Sequence, residues 1–271
     1  MDELVAGGWT LIAAECLLTA IGSVAAWRLR ALTVPGAIGM YLIGTAVLVT
    51  GGLTWLAPTF LFFATWIVLG RIRSEDAWRD NADAPDVRGL GKVAANSVVA
   101  LIGVLLLHFA GEPFWTVSDS ALIYLGAVGA ANADVWGTDF GVRFGGAPHD
   151  IITGRAKTPG QSGSVTYSGT IGAAVGALLI AAMLPLLDPS YVGRWRPVVL
   201  LAIAGWLGSV VDSALGSLAQ LRYRCPRCGT YTESPRHCGA STIVMSGLLT
   251  NNQVSWACTA TGALVAWLWI R

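Results

Sequence analysis

Eight apolar runs, each close to twenty residues, limit what this chain can fold into. They cover residues 9–27, 34–50, 52–70, 93–111, 118–135, 169–187, 197–215 and 252–270. About 20 apolar residues of helix cross a hydrocarbon core, and within lipid the backbone must satisfy its own hydrogen bonds. The runs predict an all-α, polytopic membrane helix bundle of about eight spans. The range widens to six to eight because the second and third runs meet at Gly51 and the fifth is weakened by Gly126, Gly129 and Asn132. Composition agrees, with 54% hydrophobic and 12% charged residues against roughly 25% charged in a soluble domain. The first segment, MDELVAGGW, is acidic. It lacks the basic leader of a secretory signal, so the first run is expected to stay as a span.

Basic residues orient such a bundle, because cytoplasmic loops collect Lys and Arg. With the N-terminus outside, the inner loops hold Arg28, Arg30, Arg71, Arg73, Arg79, Arg88, Lys92, Arg143, Arg155, Lys157, Arg222, Arg224, Arg227 and Arg236. Only Arg194, Arg196 and Arg271 then lie outside. This split favours both ends outside and the long loops 71–92, 137–168 and 216–251 in the cytoplasm. The chain reads as a single integral membrane domain, 1–271, with a Cys/His loop, 222–241, between the last two spans. Its partner is the bilayer; a net charge of +1 gives no reason to expect nucleic acid.

Polar residues gather at the inner ends of these runs. Residues 130–170 hold Asp134 and Asp139 beside a basic, Gly/Ser-rich stretch. Two carboxylates suit Mg²⁺, a hard cation that keeps waters for exchange with phosphate. A spacing of five does not share a helix face, so the helix must end between them for both to reach one ion, which Gly137 and Gly141 would permit. Alternatively they are interfacial acids matched to Arg143 or Arg155. Arg155, Lys157, Gly160, Ser162, Gly163 and Ser164 have the donors of a phosphate cradle. They match neither a Walker P-loop nor a nucleophile elbow, and the rival reading is a flexible basic loop. Asp212 adjoins a polar face of Ser213, Gly216 and Gln220, fit either for helix packing or for contact with a ligand. Asn96, Asn132 and Asn252 complete one polar focus. His108 reads as interfacial and His149 as a solvated loop residue. Ser168, Gly172 and Gly176, with Ala173, Ala177 and Ala181, have the spacing of close helix packing.

Cys225-Pro-Arg-Cys228-Gly, followed by His237-Cys238, has the turn shape of a zinc knuckle and four candidate ligands. On the reducing side such a cluster more often holds metal than disulfides. The alternative is a set of reduced thiols. A filled set of four would make the zinc structural.

These stretches resemble the integral membrane family that includes plant phytyl-phosphate kinase and animal transmembrane protein 19. The resemblance is carried by Arg88-Gly-Leu-Gly-Lys92-Val-Ala-Ala-Asn96, by Ala131-Asn132-Ala133-Asp134-Val-Trp136-Gly-Thr-Asp139-Phe-Gly141, and by the run 151–170. Asp212-Ser213-Ala-Leu-Gly216 and Asn252-Gln-Val254 complete it. The family commonly has Glu at the position of Asp139 and an acid near Asn251-Asn252. Residues 225–239 resemble an insertion seen in some prokaryotic members.

The resemblance implies transfer of a nucleotide γ-phosphoryl group, from CTP or ATP, to an isoprenyl monophosphate such as phytyl phosphate. In this expectation Asp134, Asp139 and Asp212 hold Mg²⁺ and, with Lys157, form the catalytic set. Asn96, Asn132, Arg155, Gly160, Ser162, Gly163, Ser164, Ser213 and Asn252 meet nucleotide and phosphate oxygens. A lipid-phosphate cytidylyltransferase and a lipid or solute transporter are the rival readings. The transporter is disfavoured because no inverted repeat is visible.

Overall fold

The computed structural model describes residues 2–72, 88–157, 161–229, 231–233 and 235–271, with side chains omitted for 2–11 and 70–72. Among the described residues, seven long helices follow one another: α1 (Asp2–Arg28), α2 (Val34–Ile72), α3 (Leu90–Leu105), α4 (Val117–Phe144), α5 (Tyr167–Ala181), α6 (Trp195–Leu218) and α7 (Asn251–Ile270). Short antiparallel strands occupy the loops. β1 (His149–Asp150) pairs with β2 (Ser164–Val165) between α4 and α5. Between α6 and α7, β3 (Arg222–Arg224) lies between β4 (Tyr231–Thr232) and β7 (Ile243–Ser246), beside the hairpin of β5 (Arg236–His237) and β6 (Ala240–Ser241). The chain is mostly helical, as expected. Among the described residues, Val34–Leu69, Leu90–Phe109, Tyr167–Leu187 and Trp195–Leu218 are long and apolar enough to cross a membrane.

The second and third apolar runs form one helix interrupted at Gly52, whose φ of 78° and ψ of −174° are not helical. Only glycine adopts such a conformation without strain. The two arms fold back on each other. A side chain on Gly36 would collide with the Arg88 carbonyl, and the Arg88 guanidinium lies 4.0 Å over the Trp66 ring. A straight helix would hold residues 36 and 66 about 45 Å apart.

The weakest of the eight runs became the central helix. α4 packs against α2, α3, α5, α6 and α7. Ala121, Leu122, Tyr124, Leu125, Ala127, Ala130 and Ala133 are fully buried along it. A helix buried on all sides needs no amphipathic stripe, and its small residues let neighbouring backbones come close. A Cβ on Gly126 would strike the Gly262 carbonyl of α7, and one on Gly208 of α6 would lie 2.7 Å from the Cys258 carbonyl oxygen. Gly172 and Gly176 of α5 press on Phe140, Trp136 and Asn132 in the same way. This is the packing role that their four-residue spacing predicts.

α4 opens with a capping box between Thr116 and Asp119. Asp119 also accepts from Trp267 Nε1 at 2.8 Å and meets Arg271 at 3.2 Å, which ties the start of α4 to the end of α7. At the opposite end, Thr250 and Gln253 form the capping box that starts α7. That opposite end carries the loops 145–166 and 219–250 and is called the loop end below.

Replacement of Gly262 by Ala should lower thermal stability in detergent, because overpacking a filled contact costs about 1–3 kcal/mol. Gly22, where an added Cβ would meet nothing within 4 Å, should accept Ala without loss. Parallel melting curves of the two variants check this.

Candidate functional site

The site follows from helix periodicity. Gly126, Ala130 and Asp134 recur every fourth residue on α4 and share one face. Gly126 and Ala130 lie against Gly262, Ala263 and Gly208, so Asp134 faces the same seam one turn further on. On α6, Gly208 is followed one turn later by Asp212. On α7, Gly262 is preceded by Cys258, whose Sγ donates to the Ala130 carbonyl at 3.6 Å, and then by Ser255. The tight apolar seam therefore ends in Asp134, Asp212 and Ser255.

α3 closes the fourth side. Lys92 Nζ donates to Ser255 Oγ at 2.6 Å and to Asn251 Oδ1 at 3.4 Å. Asn96 lies one turn along the same helix face and is buried. The charges of Asp134, Lys92 and Glu233 all act on Asp212. Those of Asp212, Asp134 and Lys92 reach Cys258. Asp212 Oδ2 is buried and has no hydrogen-bond partner among the described residues. Three carboxylates within electrostatic reach of one ammonium leave an excess of negative charge. A buried carboxylate in that position calls for a compensating charge.

The expected end of the helix between Asp134 and Asp139 is not found. α4 runs unbroken to Phe144, which turns Asp139 about 140° around the helix from Asp134. Asp139 is buried on that other side, so Asp134 and Asp139 point to different sides of α4. Gly137 and Gly141 are contacts rather than breaks: a Cβ on either would press on Ala173 or Thr166, at 3.2 and 3.1 Å. Asn132 is also taken up by packing. Fully buried, it donates to the Gly176 carbonyl at 2.7 Å and accepts from Thr65 at 3.1 Å.

The expected cradle is a second, adjoining network. Lys157 Nζ meets Asp150 Oδ2 at 2.5 Å and donates to the Ser162 carbonyl at 2.7 Å. Its charge is thus matched within the loop, and the cation facing Asp212 is Lys92 instead. Asp150 Oδ2 also accepts from Ser217 of α6 at 2.6 Å, and Oδ1 accepts the amides of Ile152 and Thr153. Gly163, at φ +74°, lies so close to Ser217 that a Cβ would reach within 2.5 Å. The Ser162 amide donates to Glu233 at 3.1 Å, and its hydroxyl bonds the same oxygen. Ser164 pairs with Asp150 across the β1–β2 ladder. Arg155 is exposed, as are His108 and His149. Gly160 lies outside the described residues, as do Arg73 and Arg79.

Asn252, at the exposed start of α7, packs on Gly91, where a Cβ would lie 2.5 Å from its Nδ2. Ser213 lies beside Asp212. Gln220 is not part of a helical face, since α6 ends at Leu218; its Nε2 turns to Glu233 at 2.8 Å. Sequence reasoning did not place Lys92 or Glu233 in the site. The available signals were a lysine at i−4 from Asn96 on an apolar helix, and the one acid within 219–250.

The second site is the Cys/His group. The ligand atoms of Cys225, Cys228, His237 and Cys238 all lie within 4.8 Å of one another, a set that could hold a metal ion. The Cys228 and Cys238 sulfurs are 3.8 Å apart, and His237 Nδ1 is 3.5 and 3.2 Å from them. Zn–S and Zn–N lengths of about 2.3 and 2.0 Å in a tetrahedron give edges of this size. The Cys228 amide aimed at Cys225 is the main cause that holds that thiol below its ordinary value. The Cys238 thiol is pushed up, chiefly by Cys228 beside it. Sulfurs this close ionise together only when a cation lies among them.

The family described as integral membrane protein DUF92 matches residues 17–263. The chain belongs to that family. It is the family of the phytyl-phosphate kinase and transmembrane protein 19 resemblance. The chain is also 27% identical over 190 residues to an uncharacterized membrane protein of Methanocaldococcus jannaschii, covering 70% of this chain and 75% of that one. No solved structure matches. The integral membrane character expected from the apolar runs is therefore shared with the family.

The Lys157 contact, followed by Ser217, holds the Asp150 carboxyl far below the usual carboxylate range. A depressed native value contributes stability above the unfolded value of about 4, and that contribution is lost as acid approaches the native value. Lys157→Met should therefore make loop 150–165 more open to protease at pH 7. The difference from the parent should shrink below about pH 4. Limited proteolysis at both pH values, with an acid-stable protease at the lower, checks it.

Proposed function

We propose that this chain is a membrane lipid kinase that transfers the γ-phosphoryl group of CTP or ATP to an isoprenyl monophosphate, giving the diphosphate. The observation that carries this reading is the buried, unpartnered Asp212 Oδ2 at the loop end, within electrostatic reach of Asp134 and Lys92. In the transfer, an oxygen of the acceptor monophosphate forms a bond to the γ-phosphorus. The bond from that phosphorus to the bridging oxygen breaks, and the nucleoside diphosphate leaves with its electron pair. The acceptor is already an anion, so no strong base is needed. Positioning and charge neutralisation do most of the work in such reactions.

Asp134 and Asp212 would hold Mg²⁺, which supplies charge neutralisation for the donor phosphates. Lys92, held by Ser255 and Asn251, presents an ammonium to the phosphoryl group. Asn96, Ser213 and Asn252 are placed to orient oxygens, and Arg155 offers an exposed cation at the loop. The isoprenoid tail would lie among the helices with its phosphate at headgroup level. The finer topology belongs to the same proposal: one integral domain of eight spans, the two arms of α2 counted separately, both termini outside and the loop end cytoplasmic. Zinc in the Cys/His group completes it.

The test is transfer of label from γ-labelled CTP or ATP to a set of isoprenyl monophosphates by the purified protein. Asp134→Asn, Asp212→Asn and Lys92→Gln should each reduce turnover about 100-fold or more, while Asp139→Asn leaves it within a few fold. Full turnover in Asp212→Asn would remove the metal role. A nucleoside monophosphate found on the lipid by mass would make the enzyme a cytidylyltransferase instead.

A further inference from the structure

Glu233 belongs to the Cys/His module but bonds outside it. It lies five residues after Cys228 and four before His237. One carboxylate oxygen accepts the Ser162 amide at 3.1 Å and the Ser162 hydroxyl. The other accepts from Gln220 at 2.8 Å, just beyond the end of α6. Ser162 in turn holds Lys157 through its carbonyl at 2.7 Å, and the charge of Glu233 reaches Asp212. A single carboxylate thus joins the module, the loop 150–165 and the end of α6 that carries Asp212.

What fixes Glu233 is the module, and its local elements are slight. β4 and β5, on either side of Glu233, have two residues each, and strands this short do not order themselves. The four metal-ligand side chains flank Glu233 in sequence and converge within 4.8 Å. Metal binding by such a group supplies folding free energy directly.

We propose that a divalent metal of the zinc class, held by Cys225, Cys228, His237 and Cys238, fixes Glu233 as a clamp that docks loop 150–165 onto α6. Glu233 is then a positioning residue, and metal occupancy orders the loop beside the candidate site. This rests on the metal reading of the Cys/His group and not on the kinase chemistry.

The experiment uses the full-length protein in detergent. Metal content is measured by elemental mass spectrometry, and amide hydrogen exchange is followed at residues 161–165. The expected result is one bound metal per chain. Chelation, or Cys228→Ser, speeds exchange at Ser162 by about tenfold or more, the size set by losing hydrogen bonds to a charged group. Glu233→Ala does the same while the metal stays bound, and buried amides of α4 stay protected in every case. A chain that binds no metal overturns the proposal. So does Ser162 exchange unchanged by chelation, or unchanged in Glu233→Ala. Label transfer is measured on the same samples. An ordered, metal-dependent loop without transfer sinks the kinase reading alone, whereas transfer with metal-independent exchange sinks the clamp alone.

Discussion

The close approach of three backbones, α4 to α6 and α7, governs the rest of the structure. Gly126, Gly208 and Gly262 have no side chain to keep the helices apart, and Ala130 fills what space remains. Helices held at that distance keep one another's faces in register over the following turn. The residues one turn further on are therefore fixed as well: Asp134, Asp212 and Ser255. A wider seam would let both acids turn to water at the headgroups. The tight one brings them under one another's charge, with Lys92 of α3 as the near cation. Gly126, which weakens the fifth run as a membrane span, is thus also one of the residues that place Asp134.

The two ends of the bundle treat buried acid differently. At the end opposite the loops, Asp119 is 2% exposed but accepts from Thr116 and Trp267 and meets Arg271. Asp188 there is bonded by Ser118 and by the Ser190 amide. Both are acids made safe by their donors, as burial requires. Asp212 has a buried oxygen without such a donor among the described residues, and its near neighbours include another acid. An arrangement that only stabilised the bundle would have placed donors there, as the far end does. Among the described residues, the buried acid oxygen without a donor lies at the loop end.

Much of this was legible in the residues. The apolar runs gave the helices, and the meeting of the second and third runs near Gly51 marked where α2 breaks at Gly52. The four-residue spacings of α5 gave its packing face, and the Cys225-Pro-Arg-Cys228-Gly turn gave the metal-ligand group. The expected helix end was not found because Gly137 and Gly141 admit two meanings. In isolation they weaken a helix; here they are the contact with α5, and packing overrides propensity. The pairing of Lys157 was hidden for a related reason. A lysine among glycines and serines offers an anion cradle, but whether its charge is free depends on Asp150, whose side chain reaches it only once β1 and β2 pair. Lys92 and Glu233 gain their roles from helices and loops distant in sequence, and one sequence holds no record of that proximity.

The Cys/His module makes physical sense only as part of this arrangement. The segment 219–250 is too small to bury a core of its own, and chains of that size need a metal or a covalent staple. Three thiolates around a divalent ion would leave net negative charge, and Arg222, Arg224, Arg227 and Arg236 surround them in sequence. Arg227 already donates to the Cys238 carbonyl at 3.1 Å and Arg224 to the Gly229 carbonyl at 3.3 Å. The module is thus built to tolerate a thiolate-rich centre. It is also inserted between the two helices that carry Asp212 and Ser255. Under the clamp proposal, rigidity gained at a bound metal would pass through Glu233 to Ser162 and Gln220, whereas an unligated loop of the same length would leave that carboxylate free to fold toward any of the nearby arginines.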